Sequence, residues 1–208
     1  MIDLPHRPLL LVISAPSGGG KTTLCERLMA EFDGSMNYSV SCTTRDPREG
    51  EVDGTDYFFL SEDEFERRIQ RGDFLEHATV HGHRYGTPKQ VIEEGFKSGR
   101  DILMDLDVQG VQQIRAKLQT CAADDPLRRG FVDVFIAAPS LEVLRKRLQG
   151  RGKDAAAVIE RRLQMAEKEM VHWPEYQYLI INDRLDASYD ALRAIVLAEH
   201  RRIVHSAG

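Results

Sequence analysis

The sequence predicts an α/β fold in which a parallel sheet carries helices on both faces. Three short, mostly apolar runs support this prediction, and they occupy residues 9–13 (LLLVI), 101–107 (DILMDLD) and 131–136 (FVDVFI). Such runs are typical of strands that are covered on both sides. Residues 37 to 87, a stretch of mixed strands and loops, interrupt the alternation of strand and helix. We therefore expect an inserted lobe there, with residues 1 to 36 and 88 to 208 forming the core.

A glycine-rich loop joins the first strand to the first helix. Residues 14–23 read SAPSGGGKTT, and three successive glycines leave backbone amides that no side chain shields. The helix that begins at Lys21 adds the unpaired N–H groups of its first turn. The segment matches the phosphate-binding pattern GxxxxGK[ST], with Ala15 in place of the first glycine. A simple turn needs neither the lysine nor the hydroxyl, so the loop predicts a nucleotide site and a P-loop NTPase fold.

Group chemistry assigns roles to this loop and to one strand end. The amides from Gly18 to Lys21 cradle the β-phosphate, the Lys21 ammonium bridges the β- and γ-phosphates, and the Thr22 hydroxyl ligates Mg²⁺. Asp105, at the carboxyl end of the second apolar strand, can hold Mg²⁺ directly or through water. Without the loop, a solvated carboxylate would be the preferred interpretation of Asp105. The residues expected to bind the nucleotide here are Ala15, Pro16, Ser17, Gly18, Gly19, Gly20, Lys21, Thr22 and Thr23.

The remaining elements follow from turn and capping signals. Ser61 and Glu64 predict a capped helix that ends before Gly72, Pro88 predicts the first residue of the next helix, and Ser140 and Asp186 predict later caps. Predicted strands occupy residues 38–44, 57–60, 74–80 and 178–182, with a turn at 84–86. Predicted helices end near residues 32, 69, 97, 118, 148, 172 and 203. Residues 119–130 show no periodicity and are interpreted as a surface insertion.

Two groups of side chains in the inserted stretch can recognise a second substrate. Arg45 and Arg48 project from one tight loop, and two guanidinium groups can bind one phosphate bidentately. Taken alone, the arginine pair is better explained by a solvated charged loop with Glu49 and Glu51 as ionic partners. The other candidates in the stretch are Tyr57 and Tyr85, which can donate hydroxyls, and Glu76, a carboxylate in an apolar strand that requires a donor. Asp107, beside Asp105 at the end of the second core strand, is a further candidate from outside the stretch.

A glycine-flanked break at residues 150–152 predicts a moving lid over roughly residues 149 to 162. Cations carried by a closing segment stabilise the oxygens of a transferring phosphoryl group. The arginines near this break are Arg147, Arg151, Arg161 and Arg162. Arg161 also fits a solvated helix face, whereas the flanking glycines favour a functional Arg151.

Composition excludes several classes of protein. The net charge of −5 provides no basic footprint for nucleic acid. Three isolated cysteines suit a reducing compartment, no apolar run is long enough to cross a bilayer, and the first residues lack the pattern of a signal peptide. We expect a cytoplasmic protein without nucleic-acid or membrane partners, and the sequence leaves monomer and homo-oligomer open.

Taken together, the motifs resemble those of the guanylate kinases, the bacterial enzymes in particular, within the nucleoside monophosphate kinase group. The segments that carry the resemblance are SAPSGGGKTT, SVSCTTRDPREGEVDGTDYFF, FLEHATVHGHRYGT, ILMDLDVQG, KRLQGRG and YLIINDRLD. The resemblance implies Mg²⁺-dependent transfer of the γ-phosphoryl group of ATP to GMP. It implies that Arg45, Arg48, Tyr57 and Tyr85 bind the GMP phosphate, and that Ser41, Glu76 and Thr87 read the guanine. It places Arg151 and Arg162 in the lid and Arg147 with Asn182 on the adenine side.

The implied role of Glu76 agrees with the chemistry of guanine. Guanine presents N1–H and N2–H₂ side by side, and one carboxylate can accept from both. Adenine would leave that carboxylate unpaired, which can reject an analogue by roughly 10⁴-fold. Two alternatives remain: a scaffold module of the same fold, disfavoured by the intact Lys21, Thr22 and Asp105, and a kinase for another phosphorylated acceptor, disfavoured by the joint presence of the guanine and phosphate residues.

Overall fold

The computed structural model describes residues 7–80, 82–150 and 155–203. Its core is a five-stranded sheet in the order β2-β7-β1-β8-β9, and each pair of neighbours is parallel. These strands are β1 (Leu10–Ser14), β2 (Met36–Tyr38), β7 (Asp101–Asp105), β8 (Phe131–Ala137) and β9 (Tyr178–Ile181). The predicted parallel α/β fold is confirmed.

The central strand explains why the first apolar run is unbroken. Residues 9–13 are fully buried, because β7 and β8 flank β1 and helices cover both faces. The helices, including those of the inserted stretch, are α1 (Lys21–Glu31), α2 (Glu62–Arg71), α3 (Lys89–Lys97), α4 (Val108–Thr120), α5 (Pro126–Gly130), α6 (Leu141–Gly150), α7 (Ala156–Met170) and α8 (Leu185–Glu199). Alternate side chains of β1 therefore enter two cores, with Leu11 packed against the α1 and α8 side and Val12 against the α4 side.

The inserted stretch forms a second sheet of four strands in the order β4-β3-β6-β5. Its strands are β3 (Cys42–Thr43), β4 (Phe58–Phe59), β5 (Phe74–Val80) and β6 (His83–Pro88). A small core of Cys42, Phe65 and Phe74 supports the sheet. Helix α2 begins as predicted, with Ser61 Oγ accepting from the Glu64 amide at 3.2 Å, and ends before Gly72, whose φ is 70°.

Two predicted features of the inserted stretch are wrong. The predicted strand at residues 38–44 is divided, since Met36–Tyr38 pairs with β7 in the core sheet and Cys42–Thr43 belongs to the second sheet. The predicted turn at residues 84–86 lies inside β6, because Tyr85 pairs with strands on both sides. The chain instead reverses between Val80 and His83, which are paired.

Other corrections concern helix ends. Pro88 is the N-cap of α3, and the first helical residue is Lys89. Residues 119–130 are more regular than predicted, since α4 continues to Thr120 and Asp125 caps α5 by accepting from the Leu127 amide at 2.8 Å.

The last helix also differs from its prediction at both ends. Arg184 is the N-cap of α8, and the helix ends at Glu199. Asp186 lies inside the first turn and accepts from Arg27 at 2.7 Å, so its carboxylate ties α8 to α1. Among the described residues, no helix is long and apolar enough to cross a membrane.

Candidate active site

The glycine-rich loop turns sharply between β1 and α1. Gly18 and Gly20 adopt φ values of 85° and 95°, which favour glycine, and the Gly19 amide donates to the Pro16 carbonyl at 2.8 Å. A Cβ on Gly20 would lie 2.2 Å from Asn182 Nδ2, so the position requires glycine for space as well as for conformation. The loop therefore ends with Gly20 as the N-cap of α1, and Lys21 opens the helix.

Asn182, the residue after β9, supports this loop. The Asn182 side chain is buried, and its Nδ2 donates to the Gly19 carbonyl at 2.8 Å. The backbone N–H of Asn182 donates to the Ala137 carbonyl at 2.7 Å. Arg147 Nη2 donates to the Asn182 carbonyl at 2.7 Å. The structure thus brings the two residues expected on the adenine side together, directly behind the loop.

Lys21 and Asp105 meet at the carboxyl ends of the central strands. Lys21 Nζ lies 3.1 Å from Asp105 Oδ2, and the Tyr38 hydroxyl donates to Asp105 Oδ1 at 2.6 Å. Burial and the nearby Asp105 raise the pKa of Tyr38, which keeps it a hydrogen-bond donor. The sequence does not predict a role for Tyr38, because residues 38–44 form one predicted strand of the inserted lobe, whereas Tyr38 ends the core strand beside Asp105.

The donors near Lys21 fit a hard divalent cation. The exposed Thr22 hydroxyl and the half-buried Asp105 carboxylate are oxygen ligands of the kind that Mg²⁺ binds. Within the described ranges, no group of three or more His, Cys, Asp or Glu residues is placed to form a cation cage. Few protein ligands are typical of Mg²⁺ that also binds phosphate and water.

A cavity of about 700 Å³ opens beside the loop. The residues around it come from the loop, the end of β7, the second sheet and α7, and they include Ser17, Ser41, Arg48, Tyr57, Glu76, Tyr85, Asp105, Asp107, Arg161 and Arg162. Most of the residues predicted from distant parts of the sequence therefore share one cleft.

Glu76 is the buried acid of this cleft. The residue is only 4% exposed, and Thr87 Oγ1 donates to Glu76 Oε1 at 2.7 Å. Ser41 Oγ lies 3.5 Å from Thr87 Oγ1, which extends the polar chain. Burial raises the pKa of Glu76 to about 7, with Thr87 opposing the shift and Asp107 adding to it. Asp107 lines the cleft and also caps α4, accepting from the Gly110 amide at 2.9 Å.

Arg45 and Arg48, the two arginines predicted to bind phosphate, differ from each other in their contacts. Arg45 Nη2 lies 2.8 and 2.9 Å from the two carboxylate oxygens of Glu51, and the Arg45 guanidinium stacks 5.5 Å from the centre of the Tyr57 ring. Arg48 is exposed and lines the cavity, and its amide also donates to Glu51 at 2.8 Å. The ionic partner that the sequence offered as the alternative interpretation is thus present for Arg45.

The two tyrosines of the second sheet form the wall next to these arginines. The Tyr57 and Tyr85 rings are 5.9 Å apart and inclined at 67°, an edge-to-face contact. Both residues line the cavity.

Helix α7 closes the cavity on the side of the loop. Arg162 Nη2 and Nε donate to Ser17 Oγ at 2.7 and 3.0 Å, which joins α7 to the loop. Arg161 also lines the cavity, although its sequence position fitted a solvated face. Arg151 lies outside the described residues, as does part of the predicted lid.

A glycine-rich loop with the GK[ST] ending that shares a cleft with an inserted sheet is typical of the nucleoside monophosphate kinase class of P-loop phosphotransferases. The guanylate kinase family model matches residues 7–199. A curated guanylate kinase of Novosphingobium aromaticivorans is 46% identical over 205 residues, covering 99% of this chain and 88% of its own length. One from Dechloromonas aromatica is 47% identical over 189 residues, covering 91% and 88%.

A solved structure supports the same grouping. The crystal structure of guanylate kinase from Anaplasma phagocytophilum aligns with a TM-score of 0.72 at 31% identity, covering 96% of this chain and 89% of that one. The chain therefore belongs to the guanylate kinase family, which phosphorylates GMP using ATP.

Proposed function

We propose that the chain divides ATP:GMP phosphoryl transfer between the loop of residues 14–23 and the neighbouring cleft. The observation that carries the proposal is the shared cavity of about 700 Å³, in which Ser17 and Asp105 face the same space as Glu76 and Tyr85. ATP binds at the loop and GMP binds against the second sheet, so the acceptor phosphate approaches the γ-phosphoryl group in line without a covalent intermediate.

The ATP-binding side of the cleft neutralises the negative charge of the triphosphate. Lys21 bridges the β- and γ-phosphates, the loop residues from Ala15 to Thr23 surround the phosphates, and Arg147 with Asn182 keeps the loop in shape on the adenine side. Thr22 and Asp105, the latter directly or through water, would hold Mg²⁺, which would supply charge neutralisation and phosphate orientation. Arg162, together with Arg151 of the lid, stabilises the transferring phosphoryl group. The Lys21–Asp105 ion pair at 3.1 Å supports a common location for these groups.

The acceptor side reads both ends of GMP. Arg48, Tyr57 and Tyr85 bind the phosphate, joined by Arg45, which Glu51 orients through the contacts at 2.8 and 2.9 Å. Ser41, Glu76 and Thr87 read the guanine, with the ionised Glu76 accepting from N1–H and N2–H₂, and Asp107 also contacts GMP. The buried Glu76 carboxylate with one hydroxyl partner supports this assignment, because its charge requires additional donors.

We also propose that residues 37–87 form a lobe and residues 149–162 a lid, and that both close to exclude water during transfer. The separate sheet and small core of the inserted stretch support a distinct lobe, although Met36–Tyr38 lies in the core sheet. The free thiols of Cys25, Cys42 and Cys121 support a cytoplasmic location.

The direct test is ADP production from ATP and Mg²⁺ with GMP, AMP, UMP or no acceptor. We expect rapid turnover with GMP only, and loss of that turnover in a Lys21→Ala variant. ATP binding without transfer to any acceptor would contradict the proposal and redirect the search to other acceptors or a protein partner.

A further inference from the structure

One face of α4 packs along the outer edge of β5, on either side of Glu76. Gly110, Gln113 and Lys117 lie three and four residues apart, so they share this face of the helix. Strand β5 is an edge strand of the second sheet, which leaves its outer backbone groups without a partner strand. Side chains of α4 bind those groups instead.

Gln113 binds the backbone that follows Glu76. The His77 amide donates to Gln113 Oε1 at 3.1 Å, and Gln113 Nε2 donates to the His77 carbonyl at 2.6 Å. One side-chain amide thus makes the same pair of hydrogen bonds that a neighbouring strand would make. This contact fixes the position of β5 relative to the core helix.

Lys117 binds the backbone that precedes Glu76. Its Nζ donates to the Phe74 carbonyl at 2.8 Å and also to the Leu75 carbonyl. These carbonyls lie where the pairing of β5 with β6 is irregular, between Phe74 and Glu76. The ammonium group therefore secures the irregular segment and places a positive charge near the Glu76 carboxylate.

Gly110 makes room for the carboxylate itself. A Cβ on Gly110 would lie 3.0 Å from Glu76 Oε2, closer than nearly all real Cβ contacts. A larger residue at this position would displace the carboxylate or the helix. The absence of a side chain at Gly110 therefore determines how closely Glu76 approaches α4.

We propose that Gln113 and Lys117 are positioning residues for guanine selection, which fix the backbone on both sides of Glu76 and place an ammonium group near its carboxylate. The inference rests on the proposed role of Glu76 as the guanine reader.

Groups on the elements packed around Glu76 change the pKa of its carboxyl group. Burial and Asp107 at the start of α4 raise its pKa, whereas Thr87 from β6 and Lys117 lower it. Burial lowers the pKa of Lys117, and the positive charge of Lys89 on α3 lowers it further.

The test compares Lys117→Met with Lys97→Met, a matched change at an exposed lysine of α3. KM for GMP, KM for ATP and kcat are measured from pH 6 to 9. We expect Lys117→Met to raise KM for GMP about tenfold at pH 7 while KM for ATP stays within about twofold. The acid limb of kcat/KM for GMP is expected to shift upward by about one pH unit, because a cation near Glu76 has been removed. Lys117→Arg should restore part of the effect.

Gln113→Ala provides a second variant that leaves the charge in place. It should raise KM for GMP without moving the acid limb, which separates backbone positioning from charge. Equal rises in both KM values, or an unchanged KM for GMP in both variants, would overturn the proposal.

Glu76→Gln, measured in parallel, separates this proposal from the assignment of Glu76. If Glu76→Gln leaves the preference for GMP over AMP unchanged, the role of Glu76 fails, and the positioning role fails with it. If that preference falls but the α4 variants leave KM for GMP unchanged, the positioning role alone fails. In the Glu76→Gln background, Lys117→Met should no longer shift the acid limb, since the titrating group is gone.

Discussion

The loop proposed to hold the triphosphate and the cleft proposed for GMP differ in how their residues are distributed along the chain. The loop is a continuous segment, residues 14–23, and its geometry depends on backbone conformation at Gly18 and Gly20. The cleft is assembled from separate strands and from α7, with a buried carboxylate at its base. A site built from backbone amides requires little desolvation of charged groups. A buried carboxylate, in contrast, lowers the stability of the folded protein until a ligand supplies hydrogen-bond donors.

The largest effect should come from a substitution that disrupts only the proposed ATP-binding side. Lys21→Ala removes the cation expected at the β- and γ-phosphates, and we expect kcat to fall about a thousandfold. GMP binding, measured by calorimetry, should be almost unchanged, because Glu76 and the second sheet are untouched. Lys146→Ala, at an exposed lysine of α6, is the matched control. A comparable loss of GMP affinity in Lys21→Ala would show that the two sides are not separable.

The complementary change breaks the acceptor side. Glu76→Gln replaces a dual acceptor by an amide with one acceptor oxygen, and the ratio of kcat/KM for GMP to that for AMP should fall by about two orders of magnitude. KM for ATP should remain close to that of the unchanged enzyme. Glu93→Gln, at an exposed position of α3, serves as the control. An unchanged ratio would remove Glu76 from base recognition.

Glu76→Gln should also change the free energy of unfolding, because it removes the buried charge of the proposed GMP cleft. Burial raises the pKa of Glu76 from 4.5 to about 7, so the folded chain holds this proton over a pH range in which the unfolded chain releases it. The contribution of this group to the free energy of unfolding therefore falls as the pH rises from 4.5 to about 7. At pH 8, Glu76→Gln should be more stable than the parent protein by on the order of 3 kcal/mol, and the difference should vanish below pH 4.5.

Urea unfolding at pH 8 and at pH 4 measures this difference. Parallel stability curves for the two proteins would contradict the buried-charge interpretation. A gain in stability at pH 8 together with lost selection would show that the cleft sacrifices stability for recognition.

The smallest effect should come from the Arg45–Glu51 ion pair next to the proposed GMP-phosphate site. Glu51→Gln weakens the contacts that orient Arg45, and we expect KM for GMP to rise about threefold with little change in kcat. Glu49→Gln, two residues away, is the matched control. Equal effects of the two substitutions would indicate a general charge effect rather than orientation of Arg45.

The same difference in distribution explains what could be predicted from the sequence. The loop was predictable because Gly18, Gly20 and Lys21 act through local backbone conformation. Likewise, Ser61 and Gly72 mark the ends of α2 within one turn of the helix. Tyr38 was missed because its role depends on β2 lying beside β7, and residues 84–86 were misassigned because a glycine in a paired strand resembles a turn.

Gln113 and Lys117 could not be identified from the sequence as site residues at all. Polar side chains on a predicted helix are normally solvated, and nothing near them in sequence indicates that β5 lies alongside. The Arg45–Glu51 contact was recognised only as an alternative, because spacing cannot decide between a phosphate and a neighbouring carboxylate as the partner of a guanidinium group.

The order of the core sheet has a consequence for how the chain folds. Leu10 pairs with Ile102 on one side and with Phe131 on the other, so β1 has no ladder partner until the middle of the chain is present. Closing such large loops costs conformational entropy before any contact compensates for it, which slows folding. During synthesis, at about 5 to 20 residues per second, the first strand waits several seconds for its partners. The glycine-rich loop, although continuous in sequence, therefore acquires a strand-paired base only after residues 101–105 have been synthesised.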